Sequence, residues 1–315
     1  MERLAELAGI EKEHCLNIHS DKANFFSPHE LIHEAKEMRT EEEAIETAVI
    51  IFTSGTASEP KAVEISQKAL SFDADAMIDN LGGYAGRSIC TAVPLFHILG
   101  LLMCYTWLCR GCTVCLPADY KPETLAREIH AYQISDMASV GAVYMTLAEA
   151  EMFEEKVVPN LHLCMIAGGM SMPVQMMRLE LEYANATFIN MYGQTEAAPL
   201  TMVQPSDLVE KRAQTVGRTV CGLDIRISDG KGGFLTVNKI GEVFAKGDNL
   251  MNGYCGVPRE KQPIDEDGWL HTGDLGWFDE ENYLHLSGRM KDVIIRAART
   301  SRLPRSKMCF RIWKT

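Results

Sequence analysis

Val49–Val63 reads VIIFTSGTASEPKAV, and the fold is decided there. Four apolar residues, Val49, Ile50, Ile51 and Phe52, read as a buried strand. The strand empties into small and hydroxyl residues that close on Pro60-Lys61. Ser54, Gly55, Thr56 and Ser58 let backbone N–H groups approach an anion, the hydroxyls add donors, and Lys61 adds a point charge. Such a loop suits phosphate. It is not the Walker-type loop, whose lysine follows a glycine, because Lys61 follows Pro60. An ordinary Ser/Thr-rich turn has the same composition, so the loop alone leaves both readings open.

The whole chain narrows the choice. Its 315 residues allow one large or two modest domains, and 46% hydrophobic with 23% charged residues reads as globular. A net charge of −12 argues against nucleic acid or an anionic membrane surface as the main partner. A nucleotide ligand is compatible with that charge, because local loops and Mg²⁺ can hold it. The start, MERLAELAGIEKEH, is charged and amphipathic and does not read as a signal peptide. The longest apolar stretch, Ala92–Cys109, is interrupted by Pro94, His97 and Gly100 and is too broken to predict a membrane span. Ten scattered cysteines without an export signal predict reduced thiols in a cytoplasmic protein. Cys104, Cys109, Cys112 and Cys115 approach an iron–sulfur spacing. They fall on a predicted helix, a turn and a strand facing a core, where cysteine commonly serves as a small hydrophobe.

Along the chain, a helix is expected from Ser27-Pro28 through Glu37, and Glu41–Glu43 reads as a solvated face. Ser66–Asn80 is a predicted helix with Ser66 as N-cap. Strand, helix and strand follow over Ser88–Val93, Leu101–Leu108 and Thr113–Leu116. Helices at Lys121–Tyr132, Val143–Glu155 and Pro173–Tyr183 then alternate with strands at Ile134–Val140, Leu161–Ala167 and Thr187–Met191. Alternation from 47 to 200 predicts an α/β fold with a mostly parallel sheet. After about residue 205, short strands between Gly and Asp turns predict a β-rich subdomain: Gly222–Ile227, Gly241–Ala245, Gly268–Thr272 and Tyr283–Ser287. The expected organisation is 1–204 for the α/β subdomains, 205–290 for the β-rich subdomain, and 291–315 for a hinge and tail.

Strand C-termini of open α/β sheets bind ligands. After the opening loop, the next such end is Gly168-Gly169-Met170, where paired glycines let a flat ligand lie on backbone. Another is Met191–Glu196: Tyr192 offers a stacking face, Thr195 a hydroxyl for phosphate, and Glu196 a hard oxygen for Mg²⁺. In the β region, Asp274 follows His271-Thr272-Gly273 and could accept both ribose hydroxyls. Each of these is also a common turn sequence.

Taken in order, TSGT…PK, YGQTE, TGD and Ser287–Asp292 (SGRMKD) resemble the adenylate-forming superfamily of acyl-CoA synthetases, peptide-synthetase adenylation domains and luciferases. The resemblance covers roughly Ala48 to Ala297. It implies the family's large N-terminal domain, with α/β subdomain layers and a β-barrel-like subdomain. It also implies site residues. Thr53, Ser54, Gly55, Thr56 and Lys61 would hold the ATP β,γ-phosphates, and Gly168, Gly169 and Tyr192 would frame adenine. Thr195 would contact the α-phosphate, Glu196 would carry Mg²⁺, and Asp274 and Arg289 would bind ribose. Thr195, Glu196 and Lys61 would be the catalytic residues. His97, in the family's PLFH motif, and Gly193 would lie at the acyl side, and Lys291 at the hinge. Gly241-Glu242 and Gly253-Tyr254 match a GE…GY motif read as structural. The implied reaction is ATP-dependent ligation of a fatty-acid-like carboxylic acid to CoA through an acyl-adenylate and then a thioester, with truncation expected to impair it. Loading of an acyl or aminoacyl group onto a carrier protein, and a non-catalytic nucleotide-binding module, are the alternatives.

The chain departs from the family in its opening loop, where Ala57 and Ser58 replace the usual Thr and Gly, and Ala62 the usual Gly after lysine. Weaker ATP binding or slower turnover is expected. The portion before the loop is short for the family, and the family's small C-terminal domain is expected to be missing. After Ala297 the chain reads ARTSRLPRSKMCFRIWKT, basic and unpatterned beside the acidic body. Codons allowed for Ala297–Lys307, read from the third base of the Ala297 codon, encode GENISPPEIE, the family's continuation. A frameshift near codon 297 is therefore expected, and the gene sequence tests it.

Overall fold

A computed structural model describes residues 47–53, 60–82, 87–152, 154, 157–169, 173–183 and 185–290, and the backbone of 293–296 and 299–302. The predicted helix at 27–37, the loop residues Ser54, Gly55, Thr56, Ala57 and Ser58, Met170 and Lys291 lie outside the described residues.

The strand–helix alternation folds as predicted from residue 88 onward. Strands β3 (Ser88–Thr91), β4 (Thr113–Cys115), β5 (Asp136–Ser139), β6 (Leu163–Ile166) and β7 (Thr187–Gln194) pair in parallel in the order β4-β3-β5-β6-β7. Strands β8 (Ala197–Met202) and β9 (Arg218–Thr219) extend the same sheet antiparallel. The crossovers are helices α2 (Ile98–Cys109), α3 (Pro122–Ala131), α4 (Gly141–Glu149) and α5 (Pro173–Glu182). The strand period of two sorts side chains onto two faces. In β6, Cys164 and Ile166 join a core with Leu125, Ile129, Tyr144, Met176 and Phe188. Leu163 and Met165 point the other way, into a core with Met77, Leu102, Met103 and Trp107. Both faces are covered, so the central strands read as continuous apolar runs.

Helix α1 (Gln67–Leu81) supplies Met77 to that second core. It starts where predicted: Ser66 Oγ accepts from the Ala69 N–H at 3.0 Å, satisfying one orphan donor of the first turn. Helix α4 ends earlier than expected. Glu151 adopts φ +56°, and the Glu151 and Met152 amides turn back to Ala148 and Leu147, closing the helix at Glu149.

One expectation fails. β1 (Val49–Thr53) is not a strand of the parallel sheet and is not buried along its length. It forms an antiparallel hairpin with β2 (Lys61–Ile65), and β2 also pairs with β12 (Gly253–Tyr254). Only Ile51 of β1 is buried, whereas Ile50 is 50% and Phe52 67% exposed. A run of four apolar residues does not distinguish a central strand from one face-exposed strand of a hairpin. Lys61 therefore opens the return strand, paired with Thr53 across the two strands.

Beyond β8, helix α6 (Val209–Gln214) packs against α5 through a buried bidentate pair. Arg212 Nε and Nη2 donate to the two Glu180 carboxylate oxygens at 2.7 Å each. Then β10 (Asp224–Ser228), β11 (Gly241–Lys246), β13 (Leu270–Phe278) and β14 (Leu284–Arg289) form a four-stranded antiparallel sheet. Its core holds Ile225, Ile227, Val243, Leu270 and Leu284, with Tyr192 and Leu200 from the α/β sheet. The stretch after Ala297 is not patternless throughout: its β16 (Arg299–Arg302) pairs antiparallel with β15 (Val293–Arg296). No helix among the described residues is long and apolar enough to cross a membrane.

Candidate functional site

The parallel strands deliver Val140, Gly168 and Tyr192 at or just past their C-terminal ends. Gly168 has φ +79°, and a Cβ there would lie 3.4 Å from Val140 Cγ1 and 3.9 Å from His97 Cε1. His97 and Gly168 thus share one corner. Gly169 opens onto space, where a Cβ would meet nothing within 4 Å.

His97 is fixed by its own helix. Its Nδ1 accepts from the Leu99 N–H at 3.2 Å, capping α2 and leaving Nε2 to carry the proton of the neutral ring. The residue is exposed, but partial desolvation of the ring lowers its pKa below the ordinary value. One turn into the helix, a Cβ on Gly100 would sit 2.4 Å from the Pro94 carbonyl oxygen. Glycine is required for α2 to press on the Pro94–His97 loop.

A second group forms between the two sheets. Tyr192 is buried, and its hydroxyl donates to Asp274 Oδ2 at 2.9 Å. Arg289 Nε donates to Asp274 Oδ1 at 2.9 Å, because Asp274 and Arg289 are register partners of β13 and β14. Burial first, and then the Asp274 carboxylate, push the Tyr192 phenol well above its ordinary range, so it stays a donor. The turn before Asp274 is held too. Thr272 Oγ1 donates to the Val243 carbonyl at 2.7 Å and accepts from the Asp274 N–H at 3.1 Å. Glu242 Oε1 accepts from the Gly273 N–H at 3.0 Å.

A third group gathers around Tyr254. Its hydroxyl donates to Glu196 Oε1 at 2.6 Å, and Lys61 Nζ lies 4.2 Å from its ring centroid. Glu196 sits with Thr195 in the turn joining β7 to β8, both partly exposed. Glu196 Oε2 accepts no hydrogen bond among the described residues, so one carboxylate oxygen is left for another ligand. That fits Mg²⁺, which is held through one or two carboxylates and otherwise by water and phosphate. Thr53 is the register partner of Lys61 across the hairpin. Gly193 is pinched at the β7–β8 bulge, where a Cβ would meet the Ala197 carbonyl oxygen at 3.0 Å.

The structure thus joins Tyr192, Asp274 and Arg289, joins Lys61 to Glu196 through an aromatic ring, and joins His97 to Gly168. Ser54, Gly55, Thr56 and Lys291 lie outside the described residues. The four spaced cysteines fall on α2 (Cys104, Cys109), the following turn (Cys112) and β4 (Cys115). Tyr254 is the residue that sequence reasoning assigned to structure alone. Its place beside Lys61 depends on pairing between β2 and β12, which no local pattern encodes.

The chain is similar to known proteins in sequence and in fold. The chain resembles an indoleacetate–CoA ligase of Aromatoleum aromaticum, 30% identical over 249 residues, covering 78% of this chain and 48% of that protein. It resembles an oxalate–CoA ligase of Arabidopsis thaliana at 32% identity over 256 residues, covering 79% and 49%. Among solved structures, the amide bond synthetase McbA of Marinactinospora thermotolerans superposes with a TM-score of 0.75 at 28% identity, covering 84% of this chain and 53% of that one. The O-succinylbenzoate coenzyme A synthetase of Bacillus subtilis, in complex with AMP, gives 0.72 at 25% identity, covering 87% and 59%. The chain spans about half the length of the curated relatives it matches. Its fold is that of the N-terminal domain of adenylate-forming enzymes. The family description "AMP-binding enzyme" matches residues 1–255, and the chain belongs to that family.

Proposed function

We propose that this chain carries the nucleotide- and acid-binding part of an acid–thiol ligase. The observation that carries the reading is the Tyr192–Asp274–Arg289 group. Two motifs from different sheets meet on one carboxylate, whose remaining lone pairs can accept two neighbouring ribose hydroxyls. Gly168, Gly169 and Tyr192 would frame adenine. Thr53, Ser54, Gly55, Thr56 and Lys61 would hold the β,γ-phosphates, and Thr195 the α-phosphate. Glu196 would hold Mg²⁺, and Lys291 would serve as the hinge. His97 and Gly193 would face the acid, which the apolar setting of Val140 beside Gly168 suits to an aliphatic or aryl group.

In this reading a carboxylate oxygen attacks the α-phosphorus, forming an acyl-adenylate, and pyrophosphate leaves with the bridging electron pair. Charge grows on phosphate oxygens, so fixed N–H donors and the Lys61 ammonium lower the barrier electrostatically. Bound Mg²⁺ would withdraw charge from those oxygens. A thiol, that of CoA, would then displace AMP to give the thioester.

Isothermal titration with AMP and with a non-hydrolysable acyl-sulfamoyl-adenosine tests the reading. Asp274→Ala is expected to weaken both by about tenfold or more, since hydrogen bonds to a charged group are worth about 1.5–3 kcal/mol. Binding that survives Asp274→Ala undiminished, or no binding by the unaltered chain, would overturn it. Pyrophosphate exchange across a panel of acids would then identify the acid.

A further inference from the structure

Tyr254 stands between the one lysine and the one carboxylate that the proposed function places at the triphosphate, and it touches both. The contacts follow from strand register. Tyr254 of β12 pairs with Val63 of β2, and Lys61 lies two residues along the same face of β2. In an antiparallel pair such a diagonal neighbour is within reach of an aromatic ring and a long side chain. The segment leading into β12 is anchored on the other side. The Met251 N–H donates to the Glu196 carbonyl at 2.9 Å, and Asn249 Nδ2 donates to the Pro199 carbonyl at 3.0 Å. The backbone of Tyr254 is clamped as well. Its N–H donates to Gln262 Oε1 at 2.7 Å, and Gln262 Nε2 donates to the Tyr254 carbonyl at 3.0 Å. The side chain is 7% exposed, so the ring has little freedom to leave.

We propose that Tyr254 is a positioning residue that keeps Lys61 and Glu196 from pairing with each other and aims both at one magnesium–triphosphate. This rests on the functional reading above. Lys61 makes no ion pair with Glu196 among the described residues. The ring face accepts the ammonium by cation–π attraction, which holds the charge without consuming an anionic partner. The hydroxyl meanwhile occupies Glu196 Oε1 and leaves Oε2 without a donor among the described residues, the way an outer hydrogen-bond partner orients a metal-ligating carboxylate. Without the ring, the flexible lysine is free to pair with that carboxylate, which has lost its own partner. The site would then lose a phosphate cation and a metal ligand together.

Two variants of the full chain separate the two contacts. Tyr254→Phe keeps the ring and removes the hydroxyl. Mn²⁺ affinity of the ATP-saturated protein, read by electron paramagnetic resonance, is expected to fall by about tenfold or more, the usual cost of losing an outer-shell partner. Metal-free ATP and AMP affinities, read by titration calorimetry, stay within about twofold of the parent chain on the same argument. Tyr254→Leu removes the ring, so metal-free ATP binding also weakens while AMP binding, which does not use Lys61, is retained. Unchanged Mn²⁺ affinity in Tyr254→Phe overturns the proposal and leaves the functional reading standing. So does a parallel fall of AMP, ATP and Mn²⁺ affinities, which marks a merely structural role. A parent chain that binds neither ATP nor AMP overturns the functional reading and this inference together.

Discussion

At Asp73, 2% exposed on α1, burial lifts the carboxyl from an ordinary 3.8 to about 9, and a hydrogen bond with Asn249 offsets only part of the rise. Its Oδ1 has no partner among the described residues. Between those two values the folded protein holds a proton that the unfolded chain releases, so stability falls as pH rises through the window. Asp73→Asn removes the proton uptake. It is expected to flatten the pH dependence and to raise the melting temperature at pH 8, where the parent carboxyl must still hold its proton. Melting temperatures from pH 5 to 9 check this; a variant that melts lower than the parent at pH 8 would refute it. At the same scale, one group of the candidate site was legible. Tyr192, Asp274 and Arg289 stand in short ordered motifs, and the geometry brings the three together. Tyr254 was not legible as a site residue, because the reach of its side chain depends on a register between segments far apart in the chain.

Elements were read best where local chemistry and tertiary packing agree. Helix α1 announces its start through Ser66, and α3 carries its apolar residues on one face, with Leu125, Ala126 and Ile129 buried. The central strands are apolar on both faces because helices cover both. β1 was misassigned because its neighbours, not its composition, make it a hairpin strand. The contact between α5 and α6 was invisible in sequence: Glu180 and Arg212 belong to no recognisable pattern, yet they form a buried bidentate pair. Breaking it strands a buried charge. Arg212→Ala is expected to cost about 3–5 kcal/mol, whereas replacing both partners with apolar residues of similar size costs much less. Urea denaturation of the single and double variants measures the difference. Gly100→Ala belongs here too, since its Cβ would overlap the Pro94 carbonyl and displace the loop that carries His97. Overpacking of this kind costs about 1–3 kcal/mol.

Across the described body, the α/β sheet and the four-stranded sheet are joined by a polar seam. Tyr283 donates to Asp207 Oδ1 at 2.7 Å while the Arg218 guanidinium lies 4.0 Å from the Tyr283 ring. Lys211 Nζ donates to Asp279 at 3.1 Å, and His285 Nε2 lies 3.2 Å from the same carboxylate. Burial pushes the Asp279 carboxyl up, but the Tyr283 amide, His285, Lys211 and the Glu281 amide together outweigh it and hold the group at about 2. Its folded value lies below its unfolded one, so its stabilisation is present above pH 3.8 and is lost as pH falls through about 2. Asp279→Asn is expected to lower the melting temperature at pH 6, and the gap from the parent is expected to close near pH 2. An equal gap at both pH values would argue against the seam.

The pairing of β2 with β12 has a consequence for synthesis. During translation, the hairpin that carries Lys61 leaves the ribosome long before residues 253–254 exist, and the seven-stranded sheet, complete by Thr219, can assemble in the interval. Until β12 arrives, the outer edge of β2 presents unpaired backbone groups beside the exposed Ile50 and Phe52. The nascent chain therefore carries a sticky edge for most of its elongation. Docking of β12 covers that edge and sets the lysine against the aromatic ring.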